Sequence, residues 1–121
     1  MDELTCAGEN AAAGFGELAE LREEAWSPAA FGLALCHEKD LAGGNLEDNL
    51  RIMGDVLSGR APEGLIATIA ANAGTAFFIA EKADDIREGA NLAKDLILGG
   101  TVRNWIDRAK AFYAKHSSDA S

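Results

Sequence analysis

The chain has 121 residues, 48% of them hydrophobic, and carries a formal net charge of −9. That length suits one compact domain with one core, and the hydrophobic fraction is that of a globular protein. An acidic balance of this size repels nucleic acid and anionic lipid, so neither is expected as a partner.

Residues 1–44 differ in texture from the rest. Met1 is followed at once by Asp2 and Glu3, unlike the basic and then apolar start of a signal peptide. The opening MDELTCAGENAAAGFG is rich in Gly, Ala and polar residues and sustains no helical face. ELAELREEAW suits either a strand pair or a short helix, because Leu18, Leu21 and Trp26 match neither period cleanly. Ser27-Pro28 stops it, since the residue before a proline avoids helical angles. AAFGLALCHEKDLAGG reads as an extended, partly packed linker with Phe31, Leu33 and Leu35 at alternate positions.

Four helices follow. Asn45 is a good N-cap after Gly43-Gly44, and Glu47 and Asp48 put negative charge where the helix dipole favours it. Leu46, Leu50, Met53, Val56 and Leu57 recur at helical spacing, and Gly59 suits the left-handed residue past the helix end. Pro62 fits the first turn of a second helix. That helix is apolar on nearly all sides, from Leu65 and Ile66 to Phe78, Ile79 and Ala80, which predicts burial on most of its surface. It is not a membrane span, because Thr68, Asn72 and Thr75 interrupt it and it falls short of the roughly 20 residues a bilayer needs. Gly74 predicts close helix packing, and Asn72 predicts a buried amide with its hydrogen bonds satisfied. Asp84-Asp85 caps a third helix, about Ile86 to Leu98, with Ala90, Ala93 and Ile97 toward the core. Gly99-Gly100 ends it. Thr101 can cap a fourth, whose apolar stripe is Val102, Trp105, Ile106, Ala109, Phe112 and Tyr113. The tail KHSSDAS is expected to fray. The fold class is therefore α+β and mainly helical: residues 1–44 an irregular, possibly β-containing entry, 45–114 a four-helix segment, 115–121 a tail.

Candidate chemistry is sparse. Cys6 and Cys36 have no metal-type spacing and read as free thiols of a cytoplasmic protein. His37 follows Cys36, but neighbours on an extended segment point to opposite faces, which disfavours a nucleophile–base pair. His116 falls in the tail and reads as a solvated residue. No glycine-rich phosphate loop of dinucleotide or nucleoside-triphosphate type occurs. Asp2-Glu3 is the one pair to weigh: adjacent carboxylates can give hard oxygens to Mg²⁺, which is usually shared between one or two carboxylates and a substrate's phosphates. Such a pair at a terminus is also commonplace.

Four stretches together resemble one family. MDELT is similar to a GxDE-[LI] motif, and WSPAAFGL to a DPEDFGL-type segment. DLAGGNLEDNLRIMGDVLSG is similar to DLxGGDxxEN…VLxG. ANAGTAFFIAEKADDIREGANLAKDLILGG is similar to NAAAALYVAGKADSLxEGVxLAxEAIxSG. This is the pattern of the C-terminal part of anthranilate phosphoribosyltransferase. The resemblance implies a two-domain enzyme, with a small helical domain that dimerises and a larger α/β domain that binds phosphoribosyl pyrophosphate and Mg²⁺. Anthranilate enters between them, and phosphoribose is attached to its amine with release of pyrophosphate. By the same resemblance Asp2 and Glu3 are the Mg²⁺ ligands, no other catalytic or cofactor-binding residue is carried over, and ELAELREEAW is the returning strand of a β-hairpin. The family's GTGGD loop, KHGN-type segment and dimerising helices lie before the DE motif and are not in the chain. It is therefore expected to be inactive alone, with Asp2 and Glu3 on an unanchored end. Its expected partners are the missing N-terminal half or, through the apolar helix from Pro62 to Ala83, a second copy of itself. The alternative expectation is a non-enzymatic helical interaction module derived from that enzyme.

Overall fold

The structure, a computed structural model, describes residues 2–117. Met1 and the end of the expected frayed tail lie outside them. Strands β1 (Asn10–Ala12) and β2 (Glu24–Trp26) come first, followed by α1 (Leu46–Leu57), α2 (Glu63–Ile79), α3 (Ile86–Leu98) and α4 (Thr101–Ser117). The hairpin expected by resemblance is present. It pairs antiparallel with Asn10 opposite Trp26 and Ala12 opposite Glu24. It is short because ENAAAGFG offers no β-branched residue to line a pleated face. A 3₁₀ turn over Gly16–Leu18 occupies the connection, so only the last three residues of ELAELREEAW form strand.

The linker is not extended throughout. Pro28–Phe31 and Glu38–Leu41 are 3₁₀ turns, and Gly32 reverses the chain at φ 72°. That reversal breaks the alternation predicted for Phe31, Leu33 and Leu35. Phe31 and Leu33 are buried, while Leu35 is exposed. Arg87 of α3 clasps the first turn by donating from Nη2 to the Ala29 carbonyl at 3.0 Å. Trp26 meets Phe31 edge-on with ring centroids 5.8 Å apart.

The helices start where their caps predict. Asn45 accepts from the Asp48 N–H at 2.8 Å and the Asp48 carboxylate accepts from the Asn45 N–H at 3.3 Å, a reciprocal capping box. Asp85 caps α3 by accepting from the Glu88 N–H at 2.7 Å. Two starts differ in detail. Pro62 stands one residue before α2, its carbonyl accepting from Leu65 N–H at 3.0 Å. Thr101 is already inside α4, and the Gly100 carbonyl accepts the first helical bond from Asn104.

The α2–α3 crossing dominates the packing. A methyl group on Gly74 would collide with the Ala90 backbone nitrogen and the Gly89 carbonyl carbon, and one on Gly89 with the Gly74 carbonyl. Backbone meets backbone there, so a side chain at either position would force the two helices to shift apart. Around the crossing lie two cores. Cys6, Phe31, Leu33, Ala67, Ala71 and Ala90 make one. Val56, Ile66 and Ile97 make the other, with Val102 and Leu65 against it. Burying a residue such as Phe31 or Ile66 contributes about 1.5–3 kcal/mol.

Much apolar surface remains uncovered. Leu46 is 75% exposed and Ile79 63%, and Leu50, Met53 and Ile69 are also exposed, so α2 is less fully buried than predicted. Of the stripe on α4, Val102 reaches the second core, while Trp105, Phe112 and Tyr113 stay exposed. The helix continues through the start of the predicted tail. His116 is part of it, its ring stacked on Phe112 at 4.2 Å and its Nδ1 2.8 Å from the Phe112 carbonyl. Among the described residues, no helix is long and apolar enough to cross a membrane.

Candidate functional site

The site is built on one face of α2. Gly64, Thr68 and Asn72 are four residues apart, so they stack along that face. Four helical residues rise about 6 Å and two extended residues about 6.6 Å. A strand laid along the helix therefore meets Thr68 and Asn72 with residues two apart. The segment after Glu3 does this. The Thr68 hydroxyl oxygen accepts from the Cys6 N–H at 3.1 Å. The Asn72 carbonyl oxygen accepts from the Leu4 N–H at 3.0 Å, and its amide donates to the Leu4 carbonyl at 2.8 Å and to the Thr68 carbonyl at 2.9 Å. Asn72 is thus the satisfied amide predicted, half-buried rather than buried, and its partner is the residue beside the acidic pair.

A second amide holds the other end. Asn10 accepts from the Thr5 N–H at 2.8 Å and donates to the carbonyls of Thr5 at 3.0 Å and Trp26 at 2.9 Å. It is buried at the base of the hairpin. Sequence reasoning missed this role. The available signal was an amide side chain, Asn10, placed directly before an alanine run, and buried amides are there to pair backbone.

Asp2 and Glu3 are therefore not on an unanchored end. Both carboxylates are exposed, but the backbone directly after them is tied to α2 and the hairpin. They line the mouth of an open cavity of about 440 Å³ between Ala11, Trp26, Asn72 and Phe78. Glu3 and Leu4 also border an apolar trough of about 490 Å³ toward Leu41 and Ile69. Among the described residues no cluster of three or more His, Cys, Asp or Glu side chains could enclose a metal ion. Two exposed carboxylates on a tethered backbone fit a cation that keeps most of its waters, as Mg²⁺ does, better than one that needs a closed cage.

The other candidates fall elsewhere. The Cys36 side chain rests on the bare first turn of α2 at Gly64, and its N–H donates to the Cys6 carbonyl at 2.9 Å. His37 is exposed at the start of the Glu38–Leu41 turn. Burial pushes both thiols above their ordinary value of 9.0. For Cys6 the Thr68 hydroxyl opposes that push and nearby Cys36 adds to it. For Cys36 the Asp40 carboxylate adds to the push and Thr68 opposes it.

Known proteins resemble this chain in sequence and fold. The chain is 35% identical to the anthranilate phosphoribosyltransferase of Bacillus licheniformis over 83 residues, which are 69% of this chain and 25% of that protein. It is 34% identical to the anthranilate phosphoribosyltransferase of Staphylococcus aureus strain JH9 over 100 residues, 83% of this chain and 30% of that protein. The crystal structure of anthranilate phosphoribosyltransferase from Thermus thermophilus superposes with a TM-score of 0.81 at 28% identity, over 93% of this chain and 32% of that one. The chain thus spans about a quarter to a third of the length of the relatives it matches. The family model described as "Glycosyl transferase family, a/b domain" matches residues 1–103, so the chain belongs to that family.

Proposed function

We propose that the chain is the C-terminal segment of an anthranilate phosphoribosyltransferase, acting on phosphoribosyl pyrophosphate and anthranilate only together with the upstream part of such an enzyme. The observation that carries the reading is the acidic pair, Asp2-Glu3, held at a cavity mouth by Leu4 on Asn72. In this reading Asp2 and Glu3 hold Mg²⁺. The metal, when bound, supplies positive charge that steadies a departing pyrophosphate. The chain's own residues supply position: Asn72 and Thr68 fix the backbone, Asn10 fixes the hairpin wall, and none of the three contributes charge. The exposed apolar faces of α1 and α2, with Leu46, Leu50, Met53 and Ile79, are where the upstream part docks.

Co-expression with the upstream segment of a relative tests this. Mg²⁺-dependent formation of phosphoribosyl anthranilate is expected, lost on Asp2→Ala together with Glu3→Ala and absent from the chain alone. Turnover by the chain alone would overturn the reading. The uncovered faces of α2 and α4 favour one alternative, a non-enzymatic module that associates with a second copy. A stable complex without turnover, or a homodimer by light scattering that the upstream segment does not dissociate, would favour the module.

A further inference from the structure

Cys6 and Cys36 come from segments far apart in sequence and meet on one helix face. The Cys36 N–H to Cys6 carbonyl bond of 2.9 Å pairs their backbones. The Cys6 N–H goes to Thr68, so this single bond joins the two chain segments, and it brings them to about the 4.7–4.9 Å spacing of hydrogen-bonded backbones, inside the roughly 4.4–6.8 Å between α-carbons that a disulfide spans. The side chains also converge. The Thr68 hydroxyl, which accepts from the Cys6 N–H at 3.1 Å, lowers the pKa of both thiols against the push of burial, and Gly64, one turn earlier on α2, leaves the space that the Cys36 side chain fills. Their exposures differ in a useful way. Cys6 is 0% exposed, whereas Cys36 is half-buried and lines an open cavity of about 400 Å³.

We propose that Cys6 and Cys36 form an oxidisable dithiol whose internal disulfide joins the segment after Asp2-Glu3 to the linker residue that packs on the start of α2. The oxidant is a low-molecular-weight disulfide such as oxidised glutathione. The Cys36 thiolate, reached through the open cavity, attacks one glutathione sulfur. A Cys36–glutathione bond forms as the glutathione S–S bond breaks, and one glutathione thiolate leaves. The Cys6 thiolate then attacks the Cys36 sulfur, the protein disulfide forms, and the second glutathione leaves. Two protein thiols are oxidised, one glutathione disulfide is reduced to two thiols, and the protons pass to solvent. The bond would keep Cys6 beside Cys36 even where the Asn72 and Thr68 hydrogen bonds open, a property independent of any transferase activity.

The folded chain is incubated with oxidised glutathione and followed by intact mass, thiol titration and a non-reducing digest. The expected result is loss of two hydrogens, no retained adduct, and a peptide joining Cys6 to Cys36. Cys6→Ser should retain glutathione on Cys36, and Cys36→Ser should remain unmodified. Phenylarsine oxide, which bridges two close thiols, should remove both thiols of the unmodified protein at one equivalent, whether or not the variants fold. A lasting adduct on wild-type Cys36, dimers joined between chains, or two thiols still titratable after the arsenical would each overturn the proposal.

Discussion

Replacing Asn72 with alanine removes one hydrogen bond accepted from Leu4 and two donated, to Leu4 and Thr68. A net protein hydrogen bond contributes about 0.5–1.5 kcal/mol, so three sum to about 1.5–4.5 kcal/mol. The site is half-buried, and the freed Leu4 groups can reach water once the segment lifts, so the lower part of that range applies: about 1.5–2.5 kcal/mol. For a chain of this size each kcal/mol moves Tm by roughly 3–6 °C. The loss should also be local. Amide exchange at Leu4 and Cys6 should accelerate strongly in Asn72→Ala, while amides in the α2–α3 crossing change only by the global loss. Asn72→Asp keeps an acceptor for the Leu4 N–H but cannot donate, and it brings a third negative charge near Asp2 and Glu3. It should open the segment at least as far. Unchanged exchange at Leu4 together with a urea midpoint equal to wild type would refute the tether.

Gly74→Ala should lower Tm in a thermal melt by an amount worth about 1–3 kcal/mol, because the methyl meets Ala90 backbone and the two helices must shift to admit it. Gly54→Ala, on a part of α1 where an added methyl meets nothing within 4 Å, should instead raise Tm by up to about 1 kcal/mol equivalent. Glu81 sits at φ 60°, just past α2, with Lys82 N–H donating to the Phe77 carbonyl at 2.8 Å and Glu81 N–H to Phe78 at 3.1 Å. Glycine is the residue this closing turn prefers, and the family pattern has glycine there, so Glu81→Gly should stabilise by about 0.5–1 kcal/mol in urea unfolding. Both thiols titrate higher in the folded protein than the unfolded value of 9.0. Their contribution to stability is therefore full below pH 9 and declines as pH rises above it, since the unfolded chain loses those protons first. A melt series from pH 7 to 10 should show an alkaline decline that is smaller in a Cys6→Ser, Cys36→Ser double variant.

Local interactions were readable from residue order, since a cap and its helix are neighbours in the chain. Asn45 with Asp48, Asp85 with Glu88, and Gly59 at φ 72° each satisfy backbone groups within a few residues, so the starts of α1 and α3 and the end of α1 followed from local chemistry. Gly74 likewise announced a close approach. The partner in that approach, Gly89, depends on how two helices cross. The linker was misread because Gly32 reverses the chain only where Arg87 and the first core receive Phe31 and Leu33. The acidic pair looked loose for the same reason. Its anchor is an amide 68 residues away, and it works because two extended residues and four helical ones cover nearly the same distance. Caps and periodicity thus followed from the sequence, while the placing of Asp2-Glu3 and the meeting of Cys6 with Cys36 were decided by tertiary packing, which alone brings distant backbone within hydrogen-bond reach of α2.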